Sequence, residues 1–435
     1  MMVPIDPGGL WGAPAAAVIG GGLGWLLMTI TGRWLAVYEA EMAAPGGVPS
    51  DSAPRPGWSI PIAGAIVAIV LWWWEVRAFG EMPLDEAGQP LLAEPMRVGG
   101  RLLAHLVLVW LLGAATWIDF RFRVIPDWIT TPGAIAGLVA TWLFPSILLP
   151  VATELPRPFA TPIFAADVLG WAGPLAAFVA DAGWNKHPPL AALAAALGMF
   201  SAWWYVCTAS DDPFAPADAE GSADQAGHGA EDGTHPIRGA SGVNVARLML
   251  LAAGLIAVSA AWSVGGERFA ALFTALVGIV VSGGIVWATR AGASVALGRE
   301  AMGLGDVTLM AMVGAWLGWQ ACVLASFLGV LFGLVHGLAQ MIRNRENELP
   351  FGPSLCAGTI AVIVGWRWAW ASSAASFAQP GQLATVVVSV VAGTALTLSV
   401  WSRLGPSSRR IALAGMLILT LLLLVWILLL SGGAA

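Results

Sequence analysis

Runs of about twenty apolar residues recur from one end of this chain to the other, and that recurrence limits its fold more than any single motif. Examples are LLAHLVLVWLLGAATWI at 102–118 and LMLLAAGLIAVSAAWSV at 248–264. A helix needs about 20 such residues to cross roughly 30 Å of hydrocarbon. Only 11% of the 435 residues are charged, against roughly a quarter in soluble domains, and the mean hydropathy is +0.78. The expected fold class is therefore all-α, a polytopic transmembrane bundle of about 12 helices. They fall near 14–36, 60–79, 102–119, 132–150, 190–208, 244–264, 268–289, 304–320, 322–341, 355–373, 384–401 and 411–431.

Polar gaps divide the chain. Residues 1–101 read as an N-terminal two-helix membrane region whose loop, 37–59, is rich in Pro and Gly. Residues 102–373 read as a membrane core, interrupted at 209–240 by an acidic segment of small residues whose composition predicts a disordered linker. His228 and His235 belong to that solvated segment. Residues 374–435 form a C-terminal two-helix extension. The weaker segment 165–181 contains Asp167, Pro174 and Asp181 and is expected at the interface rather than across the membrane.

Arg121, Arg123, Arg290, Arg299, Arg343, Arg345, Arg403, Arg409 and Arg410 lie in short polar segments at helix ends, which the positive-inside rule assigns to the cytoplasm. Both ends of the chain then lie outside. MMVPIDPGGLWG has no positive n-region, so the first helix is expected to act as its own membrane signal. Cys207, Cys322 and Cys356 occur singly, without metal-ligand spacing. They read as small buried residues, and no zinc site and no cofactor are expected. A net charge of −6 argues against a nucleic-acid partner, which calls for a basic stripe; membrane lipid is the expected surrounding.

Carboxylates within apolar runs are expensive and mark candidate sites. Glu75, in LWWWEVRAFG, stands two residues before Arg77 and reads as an interfacial residue that snorkels or pairs with an arginine. Asp119 closes LVLVWLLGAATWIDF, and no local cap accounts for it; Asp127, after Pro126, is placed to cap a helix beginning near Trp128. Asp306 follows Gly303 and Gly305 in GREAMGLGDVTLMAMVGAWLGW, with Gly314 and Gly318 continuing a Gly-x-x-x-Gly packing face. The arginine topology puts Asp119 and Asp306 at one depth. Two carboxylates brought together cannot both ionise cheaply, so they share a proton. One can then activate a water while the other protonates a scissile amide, which is aspartyl peptidase chemistry without a metal. The same pair would also serve as the proton relay of a transporter.

WIDFRFRVIPDWIT, EAMGLGDVTLMAMVGAWLGW and LPFGPSLCAGTI, in that order, resemble the motifs of the prepilin peptidases, membrane aspartyl proteases of the Gly-x-Gly-Asp type. The resemblance implies that Asp119 and Asp306 are catalytic. Gly303, Gly305, Asp127 and the turn Pro350, Phe351, Gly352 and Pro353 would support them, within a peptidase-like core at 102–373. It implies a pilin-like precursor as partner, with a basic leader before one hydrophobic helix, as in type IV pilus or type II secretion systems. Cleavage would follow a glycine at the cytoplasmic face of the bacterial inner membrane. The chain departs from the family in three places. Residues 37–59 contain no cysteine, so the paired CxxC module is missing and N-methyltransferase activity is not expected. GGLGWLLMTITGRW has no Asn where the family has Gly-Ser-Phe-Leu-Asn, and Thr308 stands where lysine is usual. A presenilin-like protease would need Pro-Ala-Leu where this chain has Pro-Phe-Gly-Pro. The alternative class is a non-enzymatic membrane protein, a proton-coupled transporter or a secretion-assembly scaffold. Transport would be favoured by inverted repeats with broken helices, and no convincing repeat is found in the sequence.

Overall fold

In hydrocarbon every backbone N–H and C=O must find its partner within the chain, and an apolar run meets that demand most simply as a helix. The computed structural model describes residues 12–42, 59–84, 88–91, 95–153, 159–162, 188–208, 245–298, 302–342 and 351–377, with isolated positions 385, 388 and 392. Nine helices lie among the described residues: α1 (Gly12–Met42), α2 (Ser59–Trp72), α3 (Pro95–Phe122), α4 (Asp127–Leu143), α5 (Leu190–Thr208), α6 (Val245–Val264), α7 (Gly266–Leu297), α8 (Leu304–Ile342) and α9 (Gly352–Phe377). Stretches of α3, α5, α6, α7 and α8 are long and apolar enough to cross a membrane. The molecule is thus an all-α membrane protein, without twelve helices among the described residues. Apart from those isolated positions, the expected helix at 384–401 lies outside those residues, as does the one at 411–431. So do the segments 165–181 and 209–240, and Arg299, Arg343, Arg345, Arg403, Arg409 and Arg410.

Several boundaries differ from the sequence expectation. α1 runs through Met42, so the first part of the expected loop at 37–59 is helical. The helix expected at 132–150 starts at Asp127 and stops at Leu143. Pro126 is extended (φ −80°, ψ 138°) and launches it, while Phe144 leaves helical geometry just before Pro145, a residue that cannot continue the backbone ladder. The rest of that run forms a 3-10 turn, Pro145–Ile147, and a strand, β1 (Pro150–Thr153). β1 pairs antiparallel with β2 (Phe159–Pro162), Pro150 opposite Pro162. The interior Pro132 is tolerated within a helix clasped by α8, whose Trp316 Nε1 donates to Gly133 O at 3.0 Å.

Lipid tails are as apolar as leucine, so membrane helices associate through close packing and polar contacts. α7 and α8 touch backbone to backbone at Gly278 and Gly314, where a Cβ on either would strike the other's carbonyl oxygen. Ser282 Oγ donates to Met310 O at 2.7 Å, and Thr141 Oγ1 donates from α4 to Ala315 O at 3.0 Å. Val139, Leu250, Ile256 and Val295 face outward, as suits a lipid-facing surface.

α8 decides where the site lies. Unbroken, its 39 residues would extend about 58 Å. Yet Gly305 presses on Ile125, just beyond the end of α3, and the His336 ring lies 6.2 Å from that of Phe120 in the last turn of α3. Both ends of α8 therefore meet the same end of α3, and the chain doubles back at Gly318 (φ 77°, ψ 172°). A positive φ is where glycine is least strained. Gly318 is thus the reversal point between the two helices expected at 304–320 and 322–341, and it still lies on the Gly314 packing face, its Cα 3.1 Å from where a Cβ on Gly278 would stand. At the far end of the bundle Trp366 Nε1 donates to Pro150 O at 2.7 Å.

Candidate active site

The end of α3, the start of α4, the start of α8 and the start of α9 converge on Ile125. Asp119, in the last turn of α3, is 5% exposed, and Asp306, in the first turn of α8, is 8% exposed. They lie near enough for the Asp119 charge to act on Asp306. Both acids meet helix N-termini, where free N–H groups and the macrodipole favour an anion. Asp306 belongs to such a first turn itself. Asp119 accepts from the backbone N–H of Gly352, the first residue of α9, while its Oδ2 has no hydrogen-bond partner. No salt bridge to either aspartate forms among the described residues.

Close approach explains two of the glycines. A Cβ on Gly352 would lie 2.7 Å from Asp119 Oδ2 and 2.7 Å from Ile125 Cδ1, and one on Gly305 would lie 2.8 Å from Ile125 O. Gly303 is exposed, and a Cβ there would meet nothing nearer than 3.9 Å. Phe351 packs against Gly333 and Pro353 is buried; Pro350 lies outside the described residues.

Asp127 does not cap α4. Pro126 holds the cap position with no side-chain hydrogen bond, and Asp127 is the first helical residue. Its Oδ1 instead lies 3.5 Å from Thr308 Oγ1. Thr130 Oγ1 donates to Thr308 Oγ1 at 3.1 Å, and Thr308 Oγ1 reaches Gly305 O at 3.1 Å. Thr308 therefore ties the first turn of α8 to the first turn of α4.

Arg290 is also placed differently from the expectation. It lies inside α7, fully buried, and its Nε donates to Met302 O at 2.7 Å, anchoring the segment that leads into Gly303 and Asp306. The signal was present in VSGGIVWATRAG, an ionisable side chain within an apolar run. Cys322 and Cys356 are buried, Cys207 is partly so, and all three are free. The Cys356 thiol lies within electrostatic reach of both aspartates.

Glu75 does not snorkel to water. It is 1% exposed and its Oε1 lies 2.9 Å from His105 Nδ1, in a cluster with Glu81 and Arg101. Among the described residues, three donors able to share a metal ion come together only at Glu75, Glu81 and His105. The aspartate end offers different means: two acids with no salt bridge among the described residues, a pairing able to hold a water and exchange protons.

Residues 244–338 match the profile of the Type IV leader peptidase family. A protein of Aeromonas salmonicida (strain A449) named prepilin leader peptidase/N-methyltransferase is 38% identical over 105 residues, 22% of this chain and 35% of its own length. Its namesake in Pseudomonas aeruginosa is 41% identical over 101 residues, again 22% of this chain and 35% of its own. One in Burkholderia pseudomallei (strain 1026b) is 36% identical over 98 residues, 22% and 32%. The chain thus spans about a third of the length of the curated relatives it matches. No solved structure matches it. The resemblance read from the motifs holds over 244–338, a segment that contains Gly303, Gly305, Asp306 and Thr308 and leaves Asp119, Asp127 and Phe351–Pro353 outside.

Proposed function

We propose that this chain, whose residues 244–338 carry the likeness to type IV leader peptidases, is an intramembrane aspartyl endopeptidase of pilin-like precursors. Its site would lie at the cytoplasmic face of a bacterial inner membrane. The observation that carries this reading is the meeting of Asp119 and Asp306. They come from opposite sides of the matched segment's start, are both buried, are close enough to interact, and meet helix N-termini, with no salt bridge among the described residues. Of the two, Asp306 alone lies inside the matched segment. The other is supplied by the fold.

In this reading the pair shares one proton. The ionised member takes a proton from a water held between the carboxyls, and that water attacks the scissile carbonyl. The protonated member donates to the departing amide nitrogen, and the pair ends with its proton exchanged between the two acids. Arg290 and Thr308 hold the Met302–Asp306 segment in register with α4, and Gly352 lets α9 approach Asp119 without a clash. The substrate would be a precursor whose basic leader precedes a single hydrophobic helix. Methyl transfer is not part of the proposal, since 37–59 contains no cysteine.

Co-expression with a pilin-like precursor tests the reading. The wild type should shorten the precursor by its leader, and Asp119→Asn and Asp306→Asn should each leave it full length while remaining folded in the membrane. Cleavage persisting in both variants would remove the Asp pair from the mechanism. A wild type inert against several precursors would favour a transporter or scaffold.

A further inference from the structure

The N-terminal helices hold a second polar cluster for which the peptidase reading has no use. α2 continues into a π-helical turn, Trp73–Arg77, and the chain then bends at Phe79 (φ 50°) before α3 returns alongside. These segments gather Glu75, Glu81, Arg101 and His105, each no more than 3% exposed. His105 precedes Asp119 by about 21 Å along α3, so the cluster is separate from the aspartate pair.

His105 Nδ1 lies 2.9 Å from Glu75 Oε1 and 3.3 Å from Glu81 Oε1, and the donor atoms of the three residues all fall within 4.8 Å of one another. A tetrahedral ion with bonds of about 2.0–2.1 Å sets its ligand atoms roughly 3.3 Å apart, close to the two separations from His105 Nδ1. Hydrogen bonding leaves the same atoms incomplete. Glu75 Oε2 and both oxygens of Glu81 are buried without a hydrogen bond of acceptable direction, although Arg101 Nε stands 2.9 Å from Glu81 Oε2. Buried polar atoms left in that state are costly, and an ion at the point where the three residues converge would satisfy Glu81 Oε1, the orphaned oxygen that already faces His105. Arg101 holds the outer oxygen of Glu81 and so turns its Oε1 toward His105.

We propose that Glu75, Glu81 and His105 form a binding site for a divalent transition metal. Two carboxylates and one imidazole suit zinc or its first-row neighbours better than calcium or magnesium, which prefer oxygen alone. The ion clamps the end of α2 and the bend after it to α3, as a structural staple remote from the aspartates.

The test uses the full chain in detergent micelles, stripped with a chelator and then given zinc chloride alone. The wild type and Asp119→Asn should each retain one zinc per chain through gel filtration, and thermal unfolding should shift upward on loading. Cobalt(II) chloride given to stripped protein should produce the visible absorption of tetrahedral coordination. Glu75→Gln combined with Glu81→Gln should bind at least about ten-fold more weakly. A wild type that takes up no stoichiometric zinc overturns the proposal and leaves a proton on His105 as the centre of the cluster. A folded double variant that retains as much zinc as the wild type also overturns it, and moves the metal elsewhere, for example to His228 and His235. If the double variant does not fold, the cobalt spectrum decides: an octahedral spectrum or none refutes the site.

Discussion

A pair of buried acids lies near each end of α3, and the two pairs are accommodated differently. Toward its start, Glu75 and Glu81 stand against Arg101 and His105. At its finish, Asp119 and Asp306 form no salt bridge among the described residues, and their charge is met by the first turns of α8 and α9. Both arrangements offset the expense of a carboxylate away from water. An arginine, however, pins a carboxylate in its ionised form, whereas partial charges from backbone N–H groups leave room for protonation. Acids that must exchange a proton with a substrate need the second arrangement, and acids that hold a fold together are served by the first.

Removing one carboxylate from each pair should break this contrast most sharply. Asp119→Asn or Asp306→Asn should reduce precursor cleavage by about 10²–10⁴-fold with little change in unfolding, because an amide still fills the space. Retained cleavage, or a large loss of stability, would make the aspartates structural. Glu81→Ala should do the reverse. By stranding Arg101 in a buried place it should cost about 3–5 kcal/mol of stability, read by denaturant unfolding in micelles. The fraction that stays folded should cleave at the wild-type rate, and a stability change under about 1 kcal/mol would show that the cluster is poorly coupled to the fold.

Two smaller changes sharpen the account of the aspartate end. Gly352→Ala places a methyl 2.7 Å from Asp119 Oδ2. A displacement of about 1 Å at a reacting group can reduce turnover about 10²-fold, so kcat should fall with the unfolding midpoint almost unchanged. An unaltered kcat would mean that α9 gives way easily. Thr308→Val removes the hydroxyl joining the starts of α4 and α8 and should cost about 1 kcal/mol, seen as a small fall in unfolding midpoint. No measurable fall would leave Thr308 without the tying role its contacts give it.

Sequence patterns disclosed the aspartate end better than the cluster. Asp119 and Asp306 could be placed at one depth because arginines and apolar runs report depth, and the structure brings the two residues together. The burial of Glu75 was not legible from Arg77 beside it, because its partner His105 comes thirty positions later, inside an apolar run. Hydropathy registers that histidine as a minor interruption and is blind to which helix it faces. Arg290 misled for a similar reason: an arginine near a helix end was taken as an anchor, when its guanidinium turns inward to Met302 O. The start of α4 at Asp127 falls beside the one expected near Trp128, whereas its end was set by Pro145, which the apolar run up to residue 150 conceals. The strand pair after α4 left no pattern distinct from the apolar run that contains β1.

The reversal at Gly318 bears on the lipid as well as on the protein. Before it, α8 rises only about 21 Å from Leu304, well short of the roughly 30 Å of hydrocarbon in an ordinary bilayer. Where a helix is too short, the surrounding leaflets thin to meet it. A transmembrane segment of ordinary length drifting into that dimple would overhang it, and its end would be pushed out among headgroups and water, where an amide can be reached. Reconstitution in lipids of graded chain length measures this directly. Cleavage should slow as the bilayer thickens, and a rate indifferent to thickness would show that the short rise of α8 is compensated within the protein.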